Sequence, residues 1–179
     1  FASGMSAANA VFDQFTPGAV VVASRYSYGG VMARLRELDA RGAITLRLVD
    51  VTEQPAITSA LDGASWVWVE SPTNPMLEVC DLRATAEAAH AAGAKLVVDN
   101  TFLSPVLLRP LEHGADLVLQ TTTKWVSGHG DALGGIAAGA KALVDPIRRQ
   151  TDLLGGAASP FNSWLIARGA RTLPLRMER

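Results

Sequence analysis

Short runs of β-branched residues alternate along most of the chain with Ala-rich segments whose apolar positions recur near helical spacing. The runs predict strands at Ala19–Ala23, Ile44–Val49, Ser65–Glu70, Lys95–Asp99, Asp116–Gln120 and Gly134–Ala138. Helices fill the intervals. A helical run, Ser6–Phe15, precedes the first strand, and Val31–Ala40 places Val31, Leu35 and Leu38 near one face. Thr52 is expected to cap Glu53–Leu61, and Asp81 to cap Leu82–Ala92, which stops at Gly93. Pro146 is expected to interrupt Lys141–Leu153, while Ser159-Pro160 supplies a cap and a first-turn proline for Phe161–Gly169. Strand, helix and strand in repetition predict an α/β fold, a mostly parallel sheet with helices on both faces.

Ligands of such sheets gather at the carboxyl ends of strands. Three polar clusters follow strands here: Glu70–Pro75 (ESPTNP), Asp99–Phe102 (DNTF) and Thr121–Asp131 (TTTKWVSGHGD). Composition narrows the choice among ligands. Sixteen Lys and Arg against seventeen Asp and Glu leave a net charge of −1, which argues against nucleic acid as a partner. No run of 18 apolar residues occurs, so no membrane-spanning helix is expected. Cys80 is the single cysteine, so no disulfide forms within the chain, and a reducing compartment is the easier home. Cys80 and the three histidines show no metal-ligand spacing. Cys80 is read as a buried inert thiol, His90 as solvated, and Trp66 and Trp68 as core residues on one strand face. Arg168, Arg171 and Arg176 are read as a solvated helix face and its exit.

Each cluster has a chemical reading and a plainer one. Hydroxyls and free amides around Thr121–Thr123 can hold a phosphate, and Lys124 in a low-dielectric pocket is a nucleophile or a covalent partner for a carbonyl. The plainer alternative is a loop lysine among solvated threonines. Asp99 ends an apolar strand, where a carboxylate must be paired. It either faces a cationic ring nitrogen or caps a turn. Gly4 and Met5, behind Ser3, open a helix whose free N–H groups suit an anion; simple capping by Ser3 explains them equally. Tyr28, before Gly29-Gly30, either stacks on a flat ligand or marks a surface turn. Asn74 either donates to a ligand oxygen or makes an Asx turn before Pro75.

In order, the motifs are SGM, YGG, ESPTNP, VVDNTF, TTTK, GHGD, GG and SPFNSWLIARGARTL, with Asp99 lying 25 residues before Lys124. This arrangement resembles the Cys/Met-metabolism family of pyridoxal-phosphate enzymes over essentially the whole chain. That family contains cystathionine γ-synthase, cystathionine β- and γ-lyases, methionine γ-lyase and O-acylhomoserine sulfhydrylases. The resemblance implies the aspartate-aminotransferase type of fold (fold type I), pyridoxal 5'-phosphate as cofactor, and cleavage or formation of a C–S bond. Lys124 matches the lysine that binds the cofactor covalently, and Asp99 the carboxylate that keeps the pyridine nitrogen protonated. Tyr28 matches the aromatic that stacks on the ring and takes part in proton transfer. Gly4 and Met5 match backbone phosphate donors, and Thr121 and Thr123 hydroxyl phosphate ligands. Asn74 matches the asparagine near the phenolic oxygen and the substrate carboxylate.

The same resemblance implies an amino-acid substrate with a thioether or an activated γ-oxygen, a cytoplasmic location and a homo-oligomer, a dimer of dimers. Residues 1–173 would form the cofactor-binding large domain, incomplete at its N-terminus, and residues 174–179 the start of a link to a C-terminal small domain. Two positions depart from the family pattern. Val31 replaces a small hydroxyl residue after the two glycines, and Gly30 stands where methionine γ-lyases usually carry cysteine. The rival readings are a truncated, non-catalytic relative that keeps the fold and cofactor site, and an unrelated nucleotide-binding α/β domain. No G-x-G-x-x-G or P-loop motif follows a first strand to support the latter.

Overall fold

Strand formation follows the apolar runs. The computed structural model describes residues Phe1–Glu178. Its strands are β1 (Ala19–Ser24), β2 (Ile44–Val49), β3 (Ala64–Glu70), β4 (Lys95–Asp99), β5 (Leu117–Thr121) and β6 (Gly135–Gly139). Each lies within a residue or so of its expected limits. They order as β2-β1-β3-β4-β5-β6, and the pairs β1–β2, β1–β3 and β3–β4 are parallel. The continuous apolar character of β1, β3 and β4 is what parallel strands buried on both faces require. Val21, Val22, Val67, Trp68, Leu96, Val97 and Val98 are all buried.

The helices are α1 (Gly4–Phe12), α2 (Gly29–Ala40), α3 (Gln54–Ala60), α4 (Leu82–Ala91), α5 (Ser104–Leu107), α6 (Lys141–Leu154), α7 (Pro160–Ala170) and α8 (Leu173–Met177). The expected caps on α4 and α7 are present: Asp81 accepts from Ala84 N–H and Ser159 from Asn162 N–H. Four expectations need correction. Thr52 does not cap α3, because its hydroxyl and N–H both donate to Asp50 Oδ1, and Glu53 occupies the cap position. Pro146 lies inside an unbroken α6, forgoing only one backbone bond in an exposed helix. Helix α1 begins two residues earlier than the pattern suggests, since Ser3 caps it by accepting from Ser6 N–H. Likewise α2 starts at the glycine pair, with Tyr28 at its cap position. Helices α5 and α8 are too short to show a helical period in the sequence.

The chain divides into two units. Unit 1 comprises Phe1–Gln14, Asn100–Arg109 and Leu119–Arg179; unit 2 comprises Phe15–Asp99 and Pro110–Val118. In unit 1, α1 and α6 pack on β6 and on each other, and α5 packs on α8. In unit 2, α2 and α3 pack on β2, and α4 packs on β3, β4 and α3. Of the expected link over residues 174–179, Leu173–Met177 is helical and Arg179 lies outside the described residues. No helix among the described residues is long and apolar enough to cross a membrane.

Candidate active site

The expected site residues fall into two sets, one in each unit. Gly4, Met5, Thr121, Thr123 and Lys124 belong to unit 1, and Tyr28, Asn74 and Asp99 to unit 2.

The unit 1 set is built by close backbone approach. A Cβ on Gly4 would overlap the Thr121 hydroxyl and sit 2.9 Å from Thr121 Cβ. Only glycine at the start of α1 therefore allows this helix terminus to lie against the strand end that carries Thr121. A Cβ on Gly135 would overlap the Ser3 carbonyl and lie 2.9 Å from Gly4 Cα, so β6 presses on the same terminus. Beyond β5 the chain turns tightly. Thr121 N–H donates to Thr101 Oγ1 (2.9 Å), Thr122 N–H to the Gly134 carbonyl (3.0 Å) and Ser127 N–H to the Thr122 carbonyl (2.9 Å). Gly134 N–H donates to Thr123 Oγ1 at 3.1 Å, so that hydroxyl already serves its own loop. The Thr122 hydroxyl is buried and without a hydrogen-bond partner. Lys124 is exposed, so within this chain it does not occupy the low-dielectric pocket that the sequence reading attached to a reactive lysine.

Arg176 braces this turn from α8. It donates to the carbonyls of Trp125 (2.6 Å) and Gly169 (2.9 Å) and to Thr172 Oγ1 (3.1 Å). Arg168 pairs with Asp131 at 2.9 Å. Arg168 is exposed, as a solvated helix face requires, with Asp131 as a surface partner; Arg176 departs from that expectation, half-buried because the carbonyls of the turn give it acceptors. In unit 2, His90 is exposed, as expected, and has a surface partner, with Nε2 3.0 Å from Asp116 Oδ2.

The unit 2 set is built on buried charge. Asp99 closes β4 and is only 5% exposed. Its parallel partner in register is Glu70, which closes β3 and is 3% exposed. Residues in register on parallel strands project to the same face, so two carboxyl groups stand side by side at the carboxyl ends of adjacent strands. Burial and the neighbouring Asp99 charge push the Glu70 carboxyl up to about 8. Tyr28 N–H donates to Glu70 Oε2 at 2.6 Å, which supplies the acceptor that the cap of α2 lacks locally. Tyr28 is 49% exposed. Asn74 is half-buried in a loop whose Ser71–Pro72 and Asn74–Pro75 peptides are both cis. Glu70 was overlooked as a site residue. Its signal was present: WVWVE and KLVVD both end an apolar strand on a carboxylate, and only the second was read as demanding a partner.

These features match known proteins throughout the chain. The family model described as Cys/Met metabolism PLP-dependent enzyme matches residues 1–179. The chain belongs to this family. It is 42% identical to L-methionine γ-lyase of Pseudomonas putida, over 99% of this chain and 46% of that protein. It is 38% identical to the chloroplastic cystathionine β-lyase of Arabidopsis thaliana, over 100% of this chain and 39% of that protein. The crystal structure of cystathionine γ-synthase from Xanthomonas oryzae pv. oryzae in complex with cystathionine superposes with a TM-score of 0.94 at 40% identity. The match covers 97% of this chain and 46% of that one. The chain thus spans less than half the length of the relatives it matches, and its fold is that of the fold type I pyridoxal-phosphate enzymes. Relatives of different specificity differ by only a few per cent in their identity to this chain, so overall likeness does not choose among them.

Proposed function

We propose that the protein is a pyridoxal-phosphate-dependent enzyme of transsulfuration or methionine metabolism. It cleaves or forms a C–S bond of an amino acid with a thioether or an activated γ-oxygen, such as cystathionine or a homoserine ester. The observation that carries this reading is a carboxylate buried at the end of β4, followed 25 residues later by a lysine just beyond β5, in family order.

The donor set fits the cofactor chemically. The start of α1 offers free N–H groups and the positive end of a nine-residue helix. Gly4 brings that terminus against Thr121, whose hydroxyl then shares an anion with the Gly4 and Met5 amides. Thr123 contributes by exchanging its bond to Gly134. In unit 2, Asp99 keeps a ring nitrogen protonated because a buried carboxylate favours a cationic neighbour. Tyr28 supplies a stacking face, and Asn74 an amide for a ligand oxygen. When bound, the cofactor supplies an electron sink for the carbanion formed at the substrate's α-carbon. Lys124 would hold the cofactor covalently and, once freed, its amine would serve as general base toward the proton on the substrate's α-carbon. Tyr28 assists proton transfer through its phenol.

The native state in this reading is a homo-oligomer, a dimer of dimers, in the cytoplasm. Borohydride reduction of the pyridoxal-phosphate-loaded protein, followed by peptide mapping, should place the pyridoxyl label on Lys124. Label on another lysine would refute the assignment. Assays with cystathionine, methionine and O-acylhomoserine then identify the substrate, and light scattering measures the assembly.

A further inference from the structure

The Glu70–Asp99 pair offers chemistry that the proposed steps leave unused. Both side chains are nine-tenths or more buried and stand in register on adjacent parallel strands. Two carboxylates cannot both ionise cheaply in such a setting, so one of them retains its proton. The surroundings decide which. Across β3 from β4, β1 presents only apolar residues in its register with β3. Beyond β1, Arg25 is turned to Asp50 and lies over the Tyr26 ring. Burial first and the Asp99 charge second raise the Glu70 carboxyl and keep the proton there; the Tyr28 N–H that donates to Oε2 opposes them and lowers it by less.

We propose that Glu70 is a positioning residue of the cofactor site: as the neutral acid it leaves the single charge of the carboxyl pair on Asp99, and through Oε2 it fixes the backbone of Tyr28. One side chain thus sets both the charge offered to the ring nitrogen and the anchor of the stacking residue. This rests on the cofactor reading for what Asp99 and Tyr28 serve, whereas the protonation of Glu70 stands without it. Because Oε2 accepts from Tyr28, the proton resides on Oε1, and an amide at this position reproduces both features. Glu70→Gln is consequently the conservative variant and Glu70→Ala the disruptive one.

The sign of the pH dependence follows from the raised carboxyl. An unfolded chain releases this proton near 4.5, and the folded one near 8. Between those values the folded state binds more protons, so stability falls as pH rises. Glu70→Gln, having nothing to titrate, should flatten that part of the profile.

The experiment uses the full protein, free of cofactor and then loaded. Infrared difference spectra of the cofactor-free protein between pH 6 and pH 9.5 (roughly two units either side of the folded value) should show a neutral carboxylic acid lost at high pH. The band should be missing in Glu70→Gln, and the thermal midpoint of that variant should vary less between pH 5 and pH 8. In the loaded protein, Glu70→Gln should keep pyridoxal-phosphate affinity within about threefold, and Glu70→Ala should lose about tenfold, the equivalent of one buried hydrogen bond. Absence of the band in the wild-type protein, or its persistence in Glu70→Gln, would overturn the proposal. So would Glu70→Gln losing as much affinity as Glu70→Ala. If Glu70→Ala fails to fold, the band and the Glu70→Gln profile still decide. A wild-type protein that shows the band yet binds no pyridoxal phosphate would refute the cofactor reading and leave the shared proton standing.

Discussion

The two sets of site residues are built on different physics. In unit 1 the anion-type residues, Lys124 apart, are neutral: helix amides, hydroxyls, and a Gly4 so tightly placed against Thr121 that a single carbon has no room. In unit 2 the set is electrostatic: two buried carboxyl groups, one backbone amide and an exposed tyrosine. A neutral set fails through shape, and a charged set through a misplaced proton. Substitutions that preserve volume should therefore spare the first and damage the second, while added methyl groups should do the reverse.

The largest expected effect falls on the reacting amine. Lys124→Ala should lower turnover by at least ~1000-fold if, as proposed, this lysine is both the covalent anchor and the base. It should also abolish the borohydride label; retained turnover and label would break the assignment. Next comes Asp99→Asn, which keeps the shape and removes the charge. A loss of at least ~100-fold in rate is expected, the size of a major electrostatic contribution. Circular dichroism should stay unchanged, and near-normal turnover would sink the role of Asp99.

Smaller effects test the steric side. Gly135→Ala drives a methyl group into the Ser3 carbonyl and Gly4 Cα, both backbone, so something rigid must shift. Denaturant unfolding should register a cost of about 1–3 kcal/mol, as overpacking does. Gly29, within α2, is the control from unit 2, because a Cβ there meets nothing within 4 Å. Gly29→Ala should be neutral or stabilise by about 0.4–1 kcal/mol through the unfolded chain. Equal costs for the two alanines would erase the contrast. Outside both sets, Asp81→Ala removes the α4 cap bond and should cost about 1 kcal/mol by the same measurement.

The strands were legible because β-branched runs report burial directly, and β2 and β4 match their expected limits. The placement of Asp99 at the end of β4 and of Lys124 just beyond β5 was legible because each follows an apolar run in a local motif. Glu70 was not, because its meaning depends on a partner 29 positions away, set by the β3–β4 register. The role of Arg176 was hidden for a similar reason. Two of its acceptors, the Trp125 and Val126 carbonyls, lie some 50 residues earlier, and carbonyls leave no trace in a sequence. Pro146 misled in the opposite direction: a local rule overestimated what one missing N–H does to a 14-residue helix.

Cys80, the sole thiol, is buried in unit 2, with its N–H bonded to Ser71 Oγ and its Sγ 3.2 Å from Thr85 Oγ1. Burial pushes the thiol above its ordinary range, so it resists alkylation while its surroundings stay closed. The segment Ser71–Cys80 that it terminates is the one bearing Asn74. Labelling by a soluble thiol reagent thus requires a local opening. Where reclosing outpaces modification, the labelling rate measures the free energy of that opening. The protein carries its own gauge of what fraction of the time the Asn74 loop stands open, readable without any engineered probe.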